Sequence, residues 1–251
     1  MYIIITIIRG VLLGAIQGLT EFLPVSSSGH LILFEKMGLA APSVETNLFL
    51  HLATLLSVLV VMRKDVFSLF KRGEKKKLGW LLVATMPTVA VAFAFKYLLP
   101  EALSGAFLAP CFFLSATLLL LPSSNKRNAP NLKNAFLTGL AQGVAVLPGV
   151  SRSGTTISIM RVLGIEELEA ARLSFLLSFP VIIGGVVLEI PETNFADFDA
   201  LFILPAFISA FIVGLVSLKV MLKAFSSKNA LPFSIYLYIV ASFSAFLPFL
   251  S

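Results

Sequence analysis

Gln17-Gly18-Leu19-Thr20-Glu21-Phe22-Leu23-Pro24-Val25-Ser26-Ser27-Ser28-Gly29-His30 is the stretch on which the fold turns. It sets a carboxylate, a histidine, three serines and two helix breakers, Pro24 and Gly29, into apolar sequence. Hydrocarbon tolerates irregular backbone and ionisable groups only where protein buries them or they line a wet cavity. The stretch therefore reads as a site as well as a break. It has an echo. Adding 125 to each number turns Gln17-Gly18 into Gln142-Gly143, and Val25–Gly29 into Val150-Ser151-Arg152-Ser153-Gly154.

The surrounding chain is 251 residues long, 58% hydrophobic and 13% charged, with a mean hydropathy of +0.97. Soluble domains carry about 25% charged residues. Apolar runs near the spanning length of about 20 residues recur along the whole chain, which predicts an all-α polytopic membrane protein. A transmembrane barrel would need short alternating strands, and the sequence has none. The net charge of +6 comes from basic residues in short loops between spans. There it sets topology rather than binding nucleic acid. The one cysteine, Cys111, forms no intrachain disulfide. The N-terminus lacks a small-residue cleavage site, so no removable signal peptide is expected.

In order, residues 3–16 are apolar and interrupted by Arg9, and residues 31–39 form a second short piece after the break. Neither spans alone, which predicts a re-entrant helix-loop-helix. Spans follow at 47–62, 78–99 (with Pro87 a kink) and 102–121. A basic loop at 63–77 and a polar linker at 122–133 lie between and after them. The second half repeats the plan. It has a helix at 132–147, a break at 148–154 and a return helix at 155–163, then spans at 168–188, 200–222 and 231–250. The expected architecture is one membrane domain of about six spans and two re-entrant pairs. It divides into repeat one at 1–122, a linker at 123–131 and repeat two at 132–251.

Basic residues concentrate on cytoplasmic loops. With 63–77 inside, 15 of the 19 basic residues become cytoplasmic, and Lys228 is among them. The acidic 190–199 loop falls outside. The first break then opens outward and the second inward. Each half carries three spans, an odd number, so the halves are inverted with respect to each other. Inverted repeats bring their broken helices together near the midplane, so the two serine-rich breaks should meet.

Helices starting after the breaks present free N–H groups and positive dipole ends. Ser26, Ser27, Ser28, Ser151, Ser153, Thr155 and Thr156 add hydroxyls. Gly29, Gly149 and Gly154 allow close backbone approach. Arg152 adds a fork for phosphate. The set predicts an anion site at membrane depth. Glu21 and His30 supply a base or metal ligand and an acid or nucleophile. His51, inside a span, lacks such company and reads as a packed core residue. Gln17 shares a helical face with Glu21. Glu35, Glu101, Glu192 and the Glu166-Glu167-Glu169 cluster read as solvated helix ends.

Gln17–His30 and Pro148-Gly149-Val150-Ser151-Arg152-Ser153-Gly154 resemble the two signature motifs of the undecaprenyl-pyrophosphate phosphatases, or bacitracin-resistance proteins. Order and spacing match over essentially the whole chain. The resemblance implies an integral membrane phosphatase of the plasma membrane. It would hydrolyse a polyprenyl diphosphate to the monophosphate and inorganic phosphate, recycling the carrier for cell-wall glycan. By motif position it implies functional roles for Glu21, His30, Ser27 and Arg152, with Ser151, Ser153 and Thr156 lining the phosphate. The family's first acidic motif begins with Glu or Gln, and here it is Gln17, so the charged role falls on Glu21. The resemblance also implies a divalent cation, Mg2+ or Ca2+, held weakly by Glu21 and substrate phosphates. Expected partners are the lipid substrate and the bilayer, with a homodimer as an allowed assembly. The diphosphate would enter from the outer face. His30 or Ser27 would then attack, or His30 would activate water. A transporter of a phosphorylated lipid or small anion is the alternative, because paired breaks in inverted repeats also suit transport.

Overall fold

The computed structural model describes residues 1–38, 43–193, 198–225 and 230–247. Among these the chain is helical, with twelve α-helices: α1 (Tyr2–Thr20), α2 (Ser27–Lys36), α3 (Val44–Val61), α4 (Arg63–Ser68), α5 (Lys75–Leu98), α6 (Pro100–Leu103), α7 (Leu108–Leu119), α8 (Leu132–Val144), α9 (Arg152–Val162), α10 (Glu167–Glu189), α11 (Ala200–Ala224) and α12 (Leu231–Phe246). Lys228, part of the acidic 190–199 loop and the end of the expected last span lie outside the described residues.

The breaks fall where the sequence forbids helix. Pro24 has no N–H and pushes its predecessor out of the α region, so the chain leaves α1 after Thr20. Ser26 is the one non-glycine residue with positive φ (70°) among the described residues. It starts α2, its hydroxyl accepting from Gly29 N at 3.3 Å. In the second break Gly149 takes φ 95°, and Ser151 caps α9 by accepting from Gly154 N at 3.1 Å. Both caps use the same serine-to-glycine spacing, 125 residues apart.

Five helices, α1, α3, α5, α10 and α11, are long and apolar enough to cross a membrane. The chain is a polytopic helical membrane protein, but element lengths differ from expectation. Helix α1 has 19 residues, because nothing before Pro24 stops it. It therefore has spanning length where a short re-entrant arm was expected. The expected span at 102–121 is only α7, of 12 residues. Gly105 at φ 81° turns the chain first, and the helix begins at Leu108. Helix α12 has 16 residues. Helices α2, α8 and α9, of 10, 13 and 11 residues, are each about 15–20 Å long, well short of a hydrocarbon core of about 30 Å. Glu167, expected at a solvated end, is buried, with Arg161 Nε 3.6 Å away.

Two close packings brace the breaks. Helix α1 lies along α11, and α8 lies along α5. A Cβ on Gly14 would collide with the Ala206 carbonyl, and one on Gly139 with the Ala84 carbonyl. These glycines are again 125 residues apart. Hydroxyl bonds accompany each contact: Ser209 to Val11 O at 2.7 Å, Ser217 to Leu19 O at 3.0 Å, and Thr88 to Gly139 O at 2.9 Å. In lipid, apolar transfer does not drive helices together, so small residues and such bonds do it instead. Replacing Gly14 or Gly139 by Leu should destabilise the protein by about 1–3 kcal/mol or more. A lowered unfolding temperature in detergent, absent for Gly184→Ala (whose Cβ meets no atom within 4 Å), checks it.

Candidate active site

The two breaks meet. Gly149 N donates to Ser26 Oγ at 3.1 Å, and Ser153 Oγ donates to Leu23 O at 3.2 Å. A Cβ on Gly29 would stand 2.7 Å from Gly149 N and Cα, so glycine is required there. Helix α7 holds the second break. Ser115 Oγ donates to Gly149 O at 2.9 Å and accepts from Ser151 N at 2.8 Å.

Glu21, at the end of α1, is the hub. Its Oε1 receives Arg152 Nη2 at 2.6 Å. Its Oε2 receives Ser27 Oγ at 2.7 Å and Gln17 Nε2 at 2.9 Å. Gln17 and Glu21 sit one helical turn apart, so they share a face. The Glu21 side chain is 4% exposed and that of Arg152 17%. A charge pair this buried persists only with further hydrogen bonds, which Ser27 and Gln17 supply.

A cavity of about 270 Å³ opens over this hub. Glu21, Ser26, Ser27, Ser28, Ser151 and Arg152 line it, together with Thr20 and His51. Backbone N–H groups of Ser27 and Ser28 at the start of α2, and of Arg152 and Ser153 at the start of α9, have no acceptor among the described residues. Helix starts of this kind attract anions. Arg152 spends one contact on Glu21, which leaves guanidinium N–H groups for a ligand.

Other expected site residues lie behind this surface. His30 does not line the cavity. Its Nδ1 donates to Ser26 O at 2.7 Å, and Nε2 meets Tyr236 Oη at 2.7 Å. The ring lies parallel to Tyr236 and edge-on to Phe112. Thr156 Oγ1 bonds Arg152 O at 2.8 Å and Ser174 Oγ at 2.6 Å. Thr155 is buried. Ser153, Gly154 and Gly29 shape the junction between breaks. Once α2 and α9 begin, positions three and four residues in point down the helix rather than across its mouth.

His51, read from the sequence as a packed core residue, lines the cavity, and Tyr236 went unread in the sequence. His51 Nδ1 bonds Asn47 O at 2.8 Å, which leaves Nε2 as the ring's open position. No motif marks it, but its one-turn spacing from Asn47 inside a span is a signal. Tyr236 gives none, being one aromatic among many in α12.

The Bacitracin resistance protein BacA family model matches residues 10–243. The chain belongs to this family. A Methanobrevibacter smithii protein named undecaprenyl-diphosphatase is 36% identical, covering 93% of this chain and 95% of its own. Proteins of the same name from Elusimicrobium minutum and Christiangramia forsetii are 37% and 38% identical, covering 92% and 93% of this chain and 94% and 95% of theirs.

In this BacA-family chain the residues do not fit a cation site made of protein alone. Among the described residues no three His, Cys, Asp or Glu side chains gather, and both oxygens of Glu21 already have partners. Magnesium asks for octahedral oxygen and keeps waters or substrate phosphates. Tyr236→Phe should leave the buried His30 Nε2 unpaired. The expected cost is about 1–3 kcal/mol of stability, read as a lower unfolding midpoint in detergent.

Proposed function

We propose that this protein is a membrane phosphatase that hydrolyses undecaprenyl diphosphate, or a related polyprenyl diphosphate, to the monophosphate and inorganic phosphate. The carrying observation is the Glu21 carboxylate, bonded at once to the Ser27 hydroxyl and the Arg152 guanidinium over an open cavity. That is a nucleophile, its base and an anion clamp at one place. Family membership and the names of the relatives agree with it.

In this reading the terminal phosphate settles on the N–H groups opening α2 and α9, and Arg152 forks onto its oxygens. Ser27 Oγ attacks phosphorus while its proton passes to Glu21 Oε2. The bond from phosphorus to the bridging oxygen breaks, and the polyprenyl monophosphate departs with the electron pair and the proton. Water then attacks the phosphoserine. Glu21 takes the water's proton and returns it to Ser27 Oγ as the P–Oγ bond breaks, which frees inorganic phosphate. Arg152 and the helix starts face the oxygens where charge accumulates. Ser26, Ser28 and Ser151 border the phosphate. His30 is a positioning residue, holding the carbonyl of Ser26 and hence Ser27. A divalent cation belongs to this reading only as an ion carried on the diphosphate oxygens.

The distribution of basic loops supports an outer-facing cavity with residues 63–77 in the cytoplasm. The shared 125-residue spacing of caps, breaks and packing glycines supports two inverted repeats.

Ser27→Ala and Arg152→Lys should each cut phosphate release from polyprenyl diphosphate by about 10²–10³-fold while the protein stays monodisperse in detergent. Arg152→Lys keeps a charge but loses the fork. A radiolabelled phosphoenzyme that forms in wild type and vanishes in Ser27→Ala identifies the nucleophile. Near-normal turnover in both variants defeats the assignment. His51→Leu should lower kcat/KM about 10–100-fold, the loss of one hydrogen bond to a charged group. Steady-state kinetics beside His30→Gln separates the two histidines.

A further inference from the structure

The cavity has two unlike walls. The polar wall carries Glu21, Ser27, His51 and Arg152. The facing wall is aliphatic: Val146 just after α8, and Val181, Ile182, Gly185 and Val186 of α10. No hydrogen-bonding side chain interrupts it. A volume of about 270 Å³ falls just below the range for small-ligand pockets, roughly 300–1,000 Å³. It accommodates a diphosphate and the start of a chain, so a long chain must leave the cavity.

The aliphatic wall borders free space. Helix α8 packs on α5 and α9 rather than on α10. Val146 is 38% exposed, and on α10 Ile183 and Val187 are 40% and 59% exposed. A Cβ built on Gly184 or Gly185 would meet no atom within 4 Å, so both glycines border free space. Elsewhere around the cavity the helices pack on one another: α10 on α3 and α9, and α1 on α2 and α3. The exposed side chains flanking the gap are apolar, which suits a mouth in lipid rather than water.

We propose that the gap between the end of α8 and residues 181–187 of α10 is the lateral slot for the prenyl chain. Resting on the phosphatase reading above, it gives the substrate one geometry. The diphosphate sits on Arg152 and the helix starts, the first isoprene units lie against Val146 and Val186, and the remaining chain runs into the bilayer. Gly185 sets the width of the slot, and the absence of polar groups there selects a hydrocarbon chain over a sugar or peptide.

The test compares dimethylallyl, farnesyl and undecaprenyl diphosphates as substrates of the purified full chain in nanodiscs. Gly185→Phe narrows the slot from α10. Val146→Trp narrows it from the other wall, at an exposed position that tolerates bulk. In both variants the loss of kcat/KM should grow with chain length, the undecaprenyl defect exceeding the dimethylallyl defect by about tenfold or more. Equal losses at all lengths, or none, overturn the slot. In parallel, a photoreactive farnesyl diphosphate should label wild type at residues 145–150 and 181–187. Labelling of α1 and α11, or of α7 and α12, instead overturns it. If wild type releases phosphate from none of the three, the phosphatase reading fails and the labelling still decides the slot.

Discussion

Two broken backbones in contact govern this structure. Gly29 lies so close to Gly149 that a side chain on it would strike the facing break, while α7 leaves no room for one on Gly149. Each broken backbone carries polar groups that lipid cannot satisfy. The Ser26 hydroxyl resolves both problems, accepting from Gly29 N in its own break and from Gly149 N in the other. Its backbone takes a positive φ, a conformation that costs about 1–3 kcal/mol for a residue with a side chain. His30 on its carbonyl, and Ser115 on the facing loop, hold that geometry. The polar groups that make the breaks tolerable in a membrane are therefore the groups that position Ser27.

Charge follows from the same junction. Glu21 would be untenable alone at this depth, and Arg152 arrives from the opposite break to neutralise it. Removing either partner of a buried pair costs about 3–5 kcal/mol; in the reading proposed above, the resting site holds its clamp on its own base. An incoming diphosphate offers Arg152 a stronger partner, with more negative oxygens in fork geometry. As the guanidinium moves onto phosphate, Glu21 loses its counter-ion and becomes a better proton acceptor for the serine already bonded to it. On the proposed mechanism, substrate binding and base activation are then one event.

Much of this was legible in residue order. The repeat of the breaks at a spacing of 125 pointed to their meeting, and Glu21, Ser27 and Arg152 stood out because charge and hydroxyls interrupt apolar sequence. Where the structure departs from the sequence reading, the causes are physical. Helix α1 is longer than its apolar run because Gln17 and Thr20 continue a helix wherever neighbours accept their polar groups. Helix α7 is shorter because hydropathy does not register the turn at Gly105. His30 stood beside the break in sequence, yet its position in the first turn of α2 points it at α12. His51 is remote in sequence but enters the cavity from α3. Glu167 carries charge at a helix start, and Arg161 pulls it inside. Side-chain direction, which motif position does not encode, separates these cases.

The glycine packing of α1 on α11 has a consequence for how the molecule comes into being. Gly14 is made before its partner Ala206, which comes nearly two hundred residues later. Helix α1, its break and Glu21 must therefore wait in the bilayer while the residues up to α11 are made before their neighbour exists. Contacts this distant in sequence form late and slowly. Until α11 arrives, the small-residue face of α1 is free to meet other membrane helices, and Glu21 meets its arginine only after the second half has emerged. The Glu21–Arg152 pair is thus a product of both halves of the chain, and a copy that lacks the second half carries Glu21 and Ser27 without Arg152.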